Sequence, residues 1–230
     1  MEIILKPRKT AGILSIIVLL LTLAHIAGQY STYYLGYDNI FGLIPQFNLN
    51  SEQNIPALFS TLILLLSSIL LAIIAYAVKK SCASYFYHWL GLSLIFLFLS
   101  MDESLSFHES MTVPLRKGLN TSGILFYAWV IPYGIALLIL IFLYLKFFIS
   151  LPAKTRKLFI IAAVVYLLGV IGIELIGGRI DEQIGRHNAT YVVYSTIEEV
   201  LEMGGIVVFI YALMYYISIE FNNLRFRISA

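Results

Sequence analysis

The stretch ALFSTLILLLSSILLAIIAYAV, from Ala57 to Val78, runs 22 residues without a charge and stops at Lys79 and Lys80. A membrane-spanning helix needs about 20 mostly apolar residues, and this segment has that length and a basic stop. Five more segments qualify, at about 11–28, 85–111, 122–148, 158–180 and 192–219. The first follows Lys6, Arg8 and Lys9, as a secretory signal would. Cleavage after Ala27 or Gly28 would put His25 or Ile26 where a small residue is needed, so the segment is read as a retained span. The whole chain agrees: of 230 residues, 60% are hydrophobic and 12% charged, with mean hydropathy +0.89. Soluble domains carry about 45–50% apolar and about 25% charged residues. The composition also excludes disorder, and the few dispersed bases exclude nucleic-acid binding. The single Cys82 excludes an intrachain disulfide and any multi-cysteine metal site. The expected fold is all-α: one transmembrane domain over 1–230, a polytopic bundle of six spans.

Orientation follows from the basic residues of the short loops. With the N-terminus inside, eleven fall on the inner side: Lys6, Arg8, Lys9, Lys79, Lys80, Lys146, Lys154, Arg156, Lys157, Arg225 and Arg227. Four fall outside: Arg116, Lys117, Arg179 and Arg186. Both termini are therefore expected inside. The longest loop, 29–56, is then an outer one. It has no Lys or Arg, and it carries Tyr30, Tyr33, Tyr34, Tyr37, Phe41 and Phe47. Aromatic rings favour the membrane interface, so the loop reads as an interfacial belt in preference to a lid.

The placement of carboxylates is more informative. Nine of the thirteen acids form three clusters: Asp102, Glu103 and Glu109 in the third span; Glu174, Asp181 and Glu182 in or after the fifth; Glu198, Glu199 and Glu202 early in the sixth. The topology puts all three at one depth, in the outer half. His108 joins them, and His25 is a further candidate; His88 lies near the inner end. At about 100° per residue, Asp102 shares a face with Glu109, Glu174 with Asp181, and Glu198 with Glu202. Glu103 and His108 point away from the Asp102 face if that helix is regular. A charge at the centre of a membrane helix costs about 2.5–3.5 kcal/mol. Glu109, Asp181 and Glu182 can reach water at the interface, whereas Asp102, Glu174, Glu198 and Glu202 sit deeper and by default have a function.

Like charges at close range cannot all ionise. The four outer bases are too few to neutralise these acids, so bound cations or shared protons are expected. The candidate metal ligands are Asp102, His108, Glu109, Glu174, Glu198, Glu199 and Glu202, with His108 and Glu103 as candidate catalytic groups. A carboxylate-rich set favours a divalent ion such as Ca²⁺, Mg²⁺ or Mn²⁺ over Zn²⁺ or Fe. No Glu has a His three residues later, as a di-iron bundle requires. His108-Glu109 lacks the second His of a zinc-protease helix. Ser104 and His108 are four apart, a generic spacing for a nucleophile and its base. Asp102-Glu103-x4-His108 recurs as Asp181-Glu182-x4-His187, which hints at duplicated hairpins. Gly169, Gly172, Gly177, Gly178, Gly204 and Gly205 permit close helix packing in the last two spans.

Met101-Asp102-Glu103, His108-Glu109 and Glu198-Glu199-Val-Leu-Glu202-Met203, with Phe47-Asn-Leu-Asn-Ser-Glu52-Gln-Asn-Ile-Pro56, resemble a family of small polytopic bacterial, often cyanobacterial, membrane proteins. The resemblance covers most of the chain and implies a bacterial plasma membrane, but supplies no activity. The last span has no His-x-x-x-His pair, which separates the chain from membrane ceramidases. The expected function is an outward-opening cluster that binds a divalent cation or protons, in a transporter-like or binding role. One alternative is a metal-dependent, hydrolase-type membrane enzyme acting on a lipid or isoprenoid at the outer leaflet. Another is a structural subunit of a membrane complex. The expected partners are membrane lipids and a small cation or lipid substrate.

Overall fold

The computed structural model describes residues 6–221. Arg225 and Arg227, which count in the orientation argument, lie outside the described residues. Among those described the chain is all helix and turn. It comprises α1 (Pro7–Tyr30) with a π-helical extension Ser31–Leu35, short α2 (Leu43–Gln46), α3 (Ile55–Lys80), α4 (Phe86–Leu105) and α5 (Phe107–Leu119). A 3₁₀ turn Gly123–Leu125 leads to α6 (Val130–Ser150) and α7 (Ala153–Leu167); a π segment Leu168–Ile173 joins α7 to α8 (Glu174–Ile184), and α9 (Ala189–Glu220) follows. Five helices are long and apolar enough to cross a membrane, and a sixth is added if α4 and α5 count as one bent span. Phe142, Leu138 and Leu143 of α6 are each more than half exposed. Such a continuous apolar outer surface belongs in lipid, since soluble monomers do not expose patches of that extent.

Local signals set the ends of the helices. The Asn54 side chain accepts from the Ala57 amide at 3.1 Å and caps α3, with Pro56 in its first turn and Lys79 and Lys80 in its last. Asn188 caps α9 through the Tyr191 amide at 2.9 Å. α9 is the central post, packed against α1, α3, α7 and α8. Two glycines let the neighbouring segments close on it. A Cβ on Gly205 would sit 2.7 Å from the Tyr166 backbone, and one on Gly169 would sit 2.9 Å from the Glu198 carbonyl. Gly204, also expected to serve packing, faces open space.

The expected helix 85–111 is not continuous. It breaks at Ser106, which adopts the left-handed conformation (φ 52°, ψ 43°), and α5 leaves α4 at 79°. The fourth span starts later than expected, at Val130, because 120–129 forms turns over one end of the bundle.

The two ends of the bundle differ. Near Lys79, Lys80 and Lys154 the interior is filled. Trp89 packs within 5.0 Å of the Phe147 ring and 4.9 Å of the Tyr216 ring, above Ile74 and Leu213, which have no exposed surface. Midway, Ser68 and Ser93 exchange hydrogen bonds to each other's carbonyls at 2.7 and 2.9 Å, joining α3 to α4. The opposite end, under residues 47–54, is hollow.

Candidate functional site

That hollow is a cavity of about 420 Å³. The break at Ser106, the π segment before Glu174 and the first half of α9 all bring carboxylates to it. Asp102, Glu103 and Glu109, then Glu174 and Asp181, then Glu198, Glu199 and Glu202 all line it, and Glu52 joins them from the loop. His108, Arg116 and Arg186 are the basic residues on its wall. The eight candidate metal-ligating and catalytic residues, Asp102, Glu103, His108, Glu109, Glu174, Glu198, Glu199 and Glu202, all line this one cavity. The regular-helix expectation for Glu103 and His108 is corrected. The kink at Ser106 re-aims α5, so His108 folds back onto the Asp102 it would otherwise turn away from.

Asp102 is the best-connected acid. It is 5% exposed, and its Oδ2 lies 2.9 Å from His108 Nδ1. Its Oδ1 accepts from the His108 amide at 3.0 Å and from the Tyr133 hydroxyl at 2.9 Å. With Nδ1 committed to Asp102, Nε2 is the ring nitrogen left for proton exchange. The His108 ring lies 4.8 Å from that of Trp129, whose indole N–H donates to Glu174 Oε1 at 2.8 Å. Glu198 reaches across to the helix of Glu174, its Oε2 3.9 Å from where a Cβ on Gly177 of α8 would sit. At the mouth, Asp181 Oδ2 accepts from the Tyr127 hydroxyl at 2.7 Å and from Arg186 Nε at 2.9 Å. Burial works against the Arg186 charge, but Asp181 more than offsets it and holds the guanidinium protonated. His108–Asp102 and Arg186–Asp181 are the only ion pairs among the described residues. Glu103, Glu199 and Glu202 have no hydrogen-bond partner among them. A salt-bridge network therefore does not neutralise the cluster.

Glu52 was not among the expected site residues. Its Oε2 is buried without a partner. Burial pushes its carboxyl up to about 7, reinforced by Glu109 and Asp102 and opposed by His108. It is held over the cavity by neighbours in its own loop. Asn50 accepts from Ser195 Oγ of α9 at 2.6 Å, and the Leu49 amide donates to His25 Nδ1 at 3.1 Å. Residues 47–54 thus form a lid. The first half of the loop differs: Tyr34 there is 77% and Phe41 99% exposed.

His25 is corrected: it does not line the cavity. It is buried, with Nε2 on Thr196 Oγ1 of α9 at 3.0 Å and Nδ1 accepting from the Leu49 amide of the lid, so its ring ties α1 to both. Ser104 does not line the cavity either, and Ser100 Oγ donates to the Thr61 carbonyl at 2.9 Å. The hinted repeat has unlike chemistry at its two copies. Asp102 pairs with His108, but Asp181 pairs with Arg186, while His187 is exposed. Tyr127, Trp129 and Tyr133 were read only as part of an apolar span. Their polar tips were the available signal, since buried Tyr and Trp usually find a partner.

The carboxylates ring the cavity without converging. Among the described residues, no three His, Cys, Asp or Glu side chains are gathered as direct ligands of one metal ion. The arrangement can hold positive charge by field and hydrogen bonding, share protons between close acids, and move a proton at His108.

A family model described as a domain of unknown function (DUF8692) matches residues 13–217, and the chain belongs to that family. No curated protein and no solved structure matches it.

Proposed function

We propose that this DUF8692 member is a membrane protein that binds cations, with accompanying protons, in a carboxylate cavity opening toward the outer face of a bacterial plasma membrane. One observation carries the reading: nine carboxylates line a single cavity whose wall has only His108, Arg116 and Arg186 as bases. Close carboxylates repel unless protons or cations are bound. The positive-inside bias supports the outward direction. Among the described residues, the packed Trp89 end has no charged side chain in its interior, which supports a one-sided binding site in which any transport step needs a rearrangement of that end.

Calorimetric titration of the purified full chain with cations tests this. Cation binding is expected in the wild type and strongly weakened binding in a Glu198→Gln, Glu202→Gln double variant. Equal heats from both proteins, or none from either, would overturn the proposal.

A second reading has its own observation. The Asp102–His108 pair has the geometry of an oriented general base, as an enzyme acting on a lipid or isoprenoid at the outer leaflet would need. His108→Gln separates the two. A binding protein keeps its cation affinity to within a few-fold, whereas an enzyme loses turnover of an added lipid ester.

A further inference from the structure

The cation that fits this cavity is constrained by what the wall lacks and by what it contains. A bare divalent ion needs several oxygens within about 2.6 Å of one point, and the described residues gather no such set. The carboxylates are instead spread along helices. Glu198 and Glu202 are one turn apart, about 6 Å, and Glu174 and Asp181 are about 10 Å apart along their helix. Glu199 and Glu202, both partly buried, line the cavity with no hydrogen-bond partner among the described residues. Glu52 Oε2 is likewise buried and unsatisfied.

Between the acids stand aromatic walls, with Trp129, Tyr133 and Tyr166 lining the cavity. The protein's own organic cations already use such surfaces here. The Arg116 guanidinium sits 3.8 Å from the Phe126 ring centroid, and that of Arg186 sits 5.1 Å from the Tyr127 centroid. A volume of about 420 Å³ lies within the range of small-molecule sites.

Resting on the cation-cavity reading, we infer that the bound cation is a linear organic polyamine. Its ammonium groups, separated by short methylene runs, meet carboxylates spaced at helical turns, and its methylenes lie against the aromatic rings. Charge spread along a chain matches charge spread along a wall. A compact metal ion would leave most of these acids unpaired.

The test compares spermidine with Mg²⁺, Ca²⁺ and Mn²⁺, each titrated calorimetrically into the detergent-purified full chain at fixed ionic strength. The expected result is spermidine binding at least tenfold tighter than any of the three metals, about 1.4 kcal/mol. A Glu199→Gln, Glu202→Gln variant should lose at least tenfold of the spermidine affinity. A metal that binds as tightly as spermidine overturns the polyamine inference and leaves the cation cavity standing. Spermidine affinity unchanged in the variant reduces the binding to surface adsorption and also overturns the inference. Binding of none of the four overturns both. The wild-type comparison does not depend on the variant folding.

Discussion

The same central helix serves two unlike environments. Along α9, residues 203–217 bury Met203, Ile210 and Leu213 against a solid interior, whereas residues 191–202 present Tyr191, Glu198, Glu199 and Glu202 to a hollow. The backbone differs in the same way. Around Trp89 the helices are regular. At the hollow end α4 breaks at Ser106, α7 passes through a π segment into α8, and α1 ends in another π turn. Irregular helix geometry often marks functional sites because it re-aims side chains. The first two of these departures bring Asp102, His108 and Glu174 to the cavity, whereas the π turn of α1 carries no acid. One end of the bundle is built for packing, and the other gives up packing to gather charge.

That contrast can be broken first at its solid end. Trp89→Ala should cost about 3–5 kcal/mol of stability, read as a lowered unfolding midpoint in detergent. A loss below ~1 kcal/mol would mean the aromatic cluster is not the packed core. Next, Gly205→Val forces α7 off α9 and should cost about 1–3 kcal/mol. An unchanged midpoint would show that the two helices do not touch as closely as 2.7 Å implies.

The hollow end responds to pH. Glu52, at about 7 in the fold against 4.5 for the ordinary group, binds more protons folded than unfolded. Its contribution is therefore fully present below about 4.5 and is lost as pH rises toward 7, by at most ~1.4 kcal/mol per pH unit. Glu52→Gln should flatten the stability profile across that window, and a profile parallel to wild type would remove Glu52 from the lid. The smallest effect is expected from Glu199→Gln in the absence of cations. It relieves repulsion and should leave stability within about 1 kcal/mol of wild type, on the stabilising side. A clear loss would make that residue a structural partner.

Span lengths and acid clusters were legible in the sequence because apolar length and misplaced charge are visible residue by residue. The depth argument, built on alternating span direction, brought three distant clusters to one level, and the cavity joins them. The helix break was not legible. Ser106 carries no breaking signal, while Pro114, which does, sits within α5. The lid was set second to a belt because the aromatic first half dominated the reading of 29–56. The polar run Asn48-Leu-Asn-Ser-Glu-Gln-Asn54, with a carboxylate and no base, was the signal that residues 47–54 face other polar groups.

The central claim is that charge binding belongs to one end and stability to the other. Cation affinity measured by calorimetry on the wild type, Trp89→Phe and Glu199→Gln/Glu202→Gln tests it most directly. The account predicts wild-type affinity for Trp89→Phe and at least a tenfold loss for the glutamine pair. Equal affinity in all three proteins would contradict it.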